Sequence, residues 1–172
     1  MTNTKDDKPL IITDGALNVL PNVKTKMHIL KNVINFSNRI GIERPKIAIL
    51  SATEEVLDSV PSSKDAEELT KLAKKENLNA DVFGPLAFDN SVSKKSAAIK
   101  GIKNDVAGMA DVLLVPSVET GNALVKMLIY FSGAYASISS GIILKSPQIK
   151  ISSSEAIFFS KKATSKSNQC IL

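Results

Sequence analysis

Four short polar stretches carry the residue types from which a site for an anionic or polar ligand can be built: Asp14–Gly15, Ser51–Glu54 ("SATE"), Gly84–Asn90 ("GPLAFDN") and Ser117–Asn122 ("SVETGN"). Each follows a short apolar run. Backbone N–H groups at such turns can meet an anion, and a glycine such as Gly121 lets another backbone or a phosphate oxygen approach the chain closely. An amide such as Asn122 caps a helix or donates to a ligand, and an acid such as Glu119 accepts a hydrogen bond or a proton. Taken alone, the residue types of Gly84–Asn90 favour a plain turn with a helix cap, a routine use of Asp, Asn and Ser. Glu119 reads equally well as a surface acid.

Other chemistries lack their residues. Neither a GxGxxG nor a GxxxxGK[ST] pattern occurs, so no dinucleotide fingerprint or Walker loop is available. The lone histidine, His28, falls mid-helix beside an apolar face and reads as surface or boundary packing, which removes a histidine-dependent triad. With no HExxH, no paired cysteines and no tight acid cluster, no metal is expected.

The elements that must position the polar stretches follow from the apolar pattern. Leu10–Thr13, Lys46–Leu50, Asp81–Phe83, Asp111–Pro116 and Gly141–Leu144 read as short strands, most of them continuously apolar, as expected when both sheet faces are covered. Between the first two, Val23, Met27, Leu30 and Ile34 share one helical face, with Gly41 as C-cap and Pro45 as a stop. Ala66, Leu69, Leu72 and Ala73 mark a second helix with Ser62 or Ser63 as N-cap. Further helices are predicted over Ser93–Ile99 and from about Ala123 to Ser132. Alternating strands and helices imply a layered α/β/α domain with a largely parallel sheet. In such a sheet the polar stretches leave the carboxyl ends of the strands along one rim, where ligands bind.

The chain has 172 residues, enough for one domain. Residues 1–9 are read as a flexible N-terminus, 10–157 as a single α/β domain and 158–172 as a disordered tail, Ser/Lys-rich and without periodicity. The formal charge is +5, but it is carried almost wholly by scattered lysines, arginine occurring only at Arg39 and Arg44. A nucleic-acid reader needs bidentate and stacking groups, so no nucleic-acid partner is expected. Cys170 is the only cysteine, which excludes an intrachain disulfide and fits a reducing cytoplasm. It is followed by two residues where a prenylation signal needs three. The polar, acid-containing "MTNTKDDKP" is not a secretory signal. The uncharged run Met127–Leu144 is broken by serines and glycines, so no membrane span is expected.

At the rim the sequence resembles the phosphate acetyltransferase and phosphate butyryltransferase family, the butyryl branch more closely. The likeness is carried by "ITDGALNVLP" (Ile12–Pro21), "IGIERPKIAILSATEEV" (Ile40–Val56), "GPLAFDNSVS" (Gly84–Ser93), "VAGMADVLLVPSVETGN" (Val106–Asn122) and "LIYFSGA" (Leu128–Ala134). It implies the second domain of a two-domain, isocitrate/isopropylmalate-dehydrogenase-like protein whose active site lies between the domains. It also implies acyl transfer between acyl-CoA and inorganic phosphate, with coenzyme A as substrate and no cofactor.

The partners implied are acyl-CoA and phosphate, a second copy in a homodimer, and a separate first-half domain, in the cytoplasm. The residues carried over as substrate contacts are Gly84, Asp89, Asn90, Gly121 and Asn122, then Ser51, Glu54, Glu119 and Lys126. No nucleophile is assigned, because direct acyl transfer needs none. Ser152 keeps a family serine, Ser153 stands where the family has arginine, and Glu155 replaces an aspartate. The expectation is therefore a partial enzyme inactive alone, the alternative being a non-catalytic binding or oligomerisation remnant.

Overall fold

Four apolar runs pair side by side in parallel: β1 (Leu10–Thr13), β2 (Lys46–Leu50), β3 (Asp81–Leu86) and β4 (Val112–Leu114), in the order β3-β2-β4-β1. They belong to a computed structural model that describes residues 9–132, 135–139 and 156–160. Beyond β1 the sheet continues antiparallel through β6 (Ala156–Ser160) to β5 (Tyr135–Ser139).

Alternate residues of each strand serve opposite faces, which explains why the strands read as continuously apolar. Ile11, Val112, Ile47 and Val82 form one row across the sheet. They pack with Met27, Leu30, Val33 and Ile34 of α1 (Val23–Arg39) and with Ala66, Leu69 and Ala73 of α2 (Pro61–Lys75). The next row, Ile12, Leu113, Ala48 and Phe83, faces the other way. It packs with Phe88 and Val92 of α3 (Phe88–Val92), Ala97 of α4 (Lys94–Ile99) and Val125 of α5 (Val118–Ser132). The architecture is thus a three-layer α/β/α domain. Each fully buried Ile or Leu in these rows contributes about 1.5–3 kcal/mol. On the first face, Lys26 of α1 is 3% exposed and reaches Asp65 of α2 at 2.6 Å, tying the two helices together.

Several boundaries differ from the sequence reading, each for a physical reason. The third strand does not end at Phe83 but continues to Leu86, so Gly84 and Pro85 lie inside β3 rather than in a turn. A Cβ at Gly84 would sit 2.7 Å from both Ile49 Cβ and the Ile49 carbonyl oxygen, and 3.2 Å from Ala66 Cβ. Only glycine lets β3 pass here beneath α2. The register shifts between Ala48 and Leu50, and Pro85 is tolerated because β3 is an edge strand at an irregularity.

Helix α2 starts with Pro61, whose preset φ and missing N–H suit the first helical position, and its N-cap is Val60 rather than Ser62 or Ser63. Ser63 Oγ instead donates to the Val60 carbonyl at 2.7 Å and accepts from Leu57 N–H at 3.0 Å. The helix predicted over Ser93–Ile99 is α4, capped by Ser93, and a separate turn, α3, precedes it. Helix α1 ends with Ile40 as C-cap and Gly41 just beyond it at φ +91°. The fourth strand is shorter than Asp111–Pro116, and α5 begins at Val118 rather than near Ala123. The strand expected at Gly141–Leu144 lies outside the described residues. Residues 158–160, expected in the tail, belong to β6.

Replacing Gly84 by Ala is expected to lower unfolding free energy by about 1–3 kcal/mol, the usual cost of overpacking. Urea denaturation measures it, and an unchanged midpoint would contradict the packing account.

Candidate functional site

Because β1 to β4 are parallel, the segments leaving their carboxyl ends all emerge at one edge of the sheet. On one side of this rim the segments after β1 and β4 lock together. Asp14, 2% exposed, spends its whole carboxylate on its own turn. Its Oδ1 accepts from Ala16 N–H at 3.3 Å and Leu17 N–H at 3.0 Å, and its Oδ2 from Asn18 N–H at 3.1 Å and from the Asn18 side-chain amide. The turn then meets the start of α5. A Cβ on Gly121 would stand 2.6 Å from Gly15 Cα and 3.2 Å from the Asp14 carbonyl oxygen, while Val118 N–H donates to the Val19 carbonyl at 3.0 Å. Gly121 is therefore required by backbone packing, and its missing side chain is filled by Gly15.

On the other side the segments after β2 and β3 are joined. Ser51 N–H donates to the Leu86 carbonyl at 2.9 Å, and Ser51 Oγ lies 3.0 Å from Ser62 Oγ. Glu54 Oε1 accepts from Ala87 N–H at 3.1 Å and from Asn90 Nδ2 at 2.6 Å, and Lys100 Nζ lies 3.6 Å from its Oε2. Asn90 is fully buried, and its backbone carbonyl accepts from Gly108 N–H at 2.7 Å.

The residues singled out in the sequence thus divide. Gly84, Gly121, Ser51 and Asn90 are buried and committed to packing or internal bonds, and Glu54 is half-buried in the same network. Asp89, Glu119, Asn122 and Lys126 are exposed, Asp89 on α3 and the others on α5. These four can still offer acceptors, donors and a cation to a ligand. Ser152, Ser153 and Glu155 lie outside the described residues.

Sequence reasoning missed Asn18 and Lys100, and read Ser62 as a helix cap where it meets Ser51. The pair Asp14 and Asn18 has the spacing of a side-chain-stabilised turn and was detectable. Lys100 had no local signal, since its partner comes from another loop. No group of three or more metal-ligating side chains occurs among the described residues, and none of their helices is long and apolar enough to cross a membrane.

Burial works to raise the Glu54 pKa, but the hydrogen bonds from Asn90 and Ala87 and the Lys100 charge outweigh it and hold the carboxyl below its ordinary value. The Glu119 carboxyl is also held low, by its own backbone N–H and by Ser117. A carboxylate depressed in the folded state stabilises the fold above its unfolded pKa, and that contribution fades as pH falls through the folded value. Wild type should therefore exceed Glu54→Gln in stability at neutral pH, with the difference shrinking below about pH 4.3, the ordinary Glu value. Urea denaturation across pH 3–7, the range bracketing that value, measures it, and a pH-independent difference would contradict the assignment.

Comparison with known proteins places this rim in a family. Residues 1–153 match the family model described as "Phosphate acetyl/butaryl transferase". The chain is 42% identical over 136 residues to phosphate acetyltransferase from Rhizobium meliloti, covering 78% of this chain and 42% of that protein. It is 40% identical over 127 residues to phosphate butyryltransferase from Clostridium acetobutylicum, covering 73% and 42% respectively. These identities do not separate the acetyl from the butyryl branch. Among solved structures, a branched-chain phosphotransacylase from Enterococcus faecalis V583 superposes with a TM-score of 0.69 at 34% identity, covering 73% of this chain and 48% of that one. The matched part of the chain spans less than half the length of each of these proteins. With the family model matched over most of its residues and the parallel α/β architecture shared, the chain belongs to the phosphate acetyl/butyryl transferase family.

Proposed function

We propose that the rim supplies half of a site for acyl transfer between acyl-CoA and inorganic phosphate, completed by a separate first-half domain. The observation that carries this reading is the meeting of four loops at one sheet edge, with Asp89, Glu119 and Asn122 left exposed there, in a chain of this family. In the direction of thioester synthesis, the coenzyme A thiol loses its proton to a carboxylate and the sulfur attacks the acyl-phosphate carbonyl. The C–S bond forms, the C–O bond breaks, and phosphate leaves with the electron pair. In reverse, a phosphate oxygen attacks the thioester and the thiolate leaves. Coenzyme A is substrate, no cofactor enters, and the reaction belongs to the cytoplasm.

The chain alone is expected to be inactive, because phosphate and a developing oxyanion need positioned cations and donors. Its only arginines, Arg39 and Arg44, are not available for this. Arg39 lies in the last turn of α1, and Arg44 pairs with Asp81 at the start of β3, 2.8 Å away, at the edge opposite the rim. That placement also favours the second reading, a non-catalytic binding or oligomerisation remnant. Homodimer formation is part of the main reading. Met127, Tyr130 and Phe131 on the outer side of α5, exposed at 46%, 79% and 88%, offer the apolar surface it would use.

Coenzyme A release from acetyl-CoA or butyryl-CoA on adding phosphate tests the proposal, with the purified chain alone and mixed with a protein supplying the family's first domain. Activity only on mixing is the expected outcome. Turnover by the chain alone would overturn the half-site reading, and silence in both would leave the remnant. Light scattering on the same sample reads the assembly, and a monomer mass at assay concentration would remove the homodimer.

A further inference from the structure

Helix α3, the turn that carries Asp89 and Asn90, has no cap of its own: its N-cap is Ala87, whose side chain offers no acceptor. The acceptor arrives from a different loop. Glu54 Oε1 takes the Ala87 N–H at 3.1 Å and the Asn90 side-chain N–H at 2.6 Å, and so does in trans what the Glu or Gln of a capping box does, accepting from the N-cap backbone N–H. Oε2 faces Lys100, one residue past α4, at 3.6 Å. One carboxylate therefore fastens the loop after β2 to the beginning of α3 and the end of α4.

The Asn90 amide records how strongly this geometry is imposed. Its nitrogen must face the carboxylate, since the reverse orientation would set oxygen against oxygen. Its Oδ1 is then turned into a buried position with no hydrogen-bond partner among the described residues. Native proteins rarely leave a buried amide oxygen without a protein partner, so the orientation is set by the bond on the nitrogen side. Asn90 forgoes that bond while keeping the one to Glu54. Asp89, its neighbour on the same turn, is exposed at the rim.

We propose that Glu54 is a positioning residue: it touches no substrate, and its carboxylate oxygen holds the Ala87–Asn90 turn so that Asp89 stands where acyl-CoA binds. This rests on the acyltransferase reading above. The required feature is an acceptor oxygen at the correct reach, more than a negative charge. Glu54→Gln keeps that oxygen, Glu54→Asp keeps the charge but withdraws it by one methylene, and Glu54→Ala removes both.

Isothermal titration of the full chain with butyryl-CoA at neutral pH, wild type beside the three variants, tests this, with amide hydrogen exchange of the β1, β2 and β4 core followed in parallel. Glu54→Gln should bind within about threefold of wild type, whereas Glu54→Asp and Glu54→Ala should lose about tenfold or more, the affinity carried by one hydrogen bond to a charged group such as Asp89. Core exchange should rise no more in the variants that lose affinity than in Glu54→Gln, so that lost stability does not account for lost binding. If Glu54→Ala does not fold, Glu54→Asp carries the comparison. Equal affinity in all four proteins, or a loss in Glu54→Gln as large as in Glu54→Ala, would overturn the positioning role alone. A wild-type chain with no affinity for butyryl-CoA would overturn the placing of acyl-CoA on this half of the site, and this proposal with it, while activity on mixing with the first domain tests the acyltransferase reading separately.

Discussion

Because β1, β2, β3 and β4 run parallel with both faces buried, every segment that leaves a strand's carboxyl end emerges at the same edge. That pairing is the constraint from which the rest of the molecule follows. It is held at the opposite edge by polar bonds: Asp111 Oδ2 accepts from Lys46 N–H at 2.9 Å, Asp111 N–H donates to the Lys46 carbonyl at 2.8 Å, and Arg44 pairs with Asp81. Basic and acidic groups at that end are therefore used to align strands. The groups left for a ligand lie at the other end.

Carboxylates at the rim illustrate how the same side chain takes different work from its surroundings. Asp14 meets four donors from its own turn and is thereby an acceptor for structure. Glu54 joins two loops that are far apart in sequence. Asp89 and Glu119 remain exposed. Burying a polar group costs free energy unless it is paired, and the donors that satisfy Asp14 and Glu54 occupy the oxygens a ligand would need. Exposure at the rim, more than residue type, therefore separates the acids that can meet a substrate from those that build the rim.

Two glycines follow the same logic. Gly84 and Gly121 each let one backbone come within a distance that any side chain would forbid, Gly84 under Ile49 and Ala66, Gly121 against Gly15. In sequence both look like places where a ligand could approach. In the fold the approaching group is another part of the chain. Lys26 and Asp65 give a further case, two charges that would ordinarily be solvated but that meet at 2.6 Å between α1 and α2. Lys26 is buried while Asp65 stays 32% exposed, and the cost of desolvating the ammonium offsets much of the attraction, so the pair contributes more to the relative setting of the helices than to net stability.

The sequence by itself determined the strands at Leu10–Thr13 and Lys46–Leu50, the amphipathic faces of α1 and α2, and the parallel order of layers. These rest on spacing and apolarity within a few residues, which local chain geometry reads directly. The family was legible for a related reason, since its motifs are the rim loops themselves. Tertiary structure alone decided that Gly84 and Pro85 lie within a strand and that α5 begins at Val118. It also decided that Glu54 reaches Ala87, Asn90 and Lys100. Each of these depends on what stands opposite a residue once distant segments are brought together, a relation that no local spacing encodes.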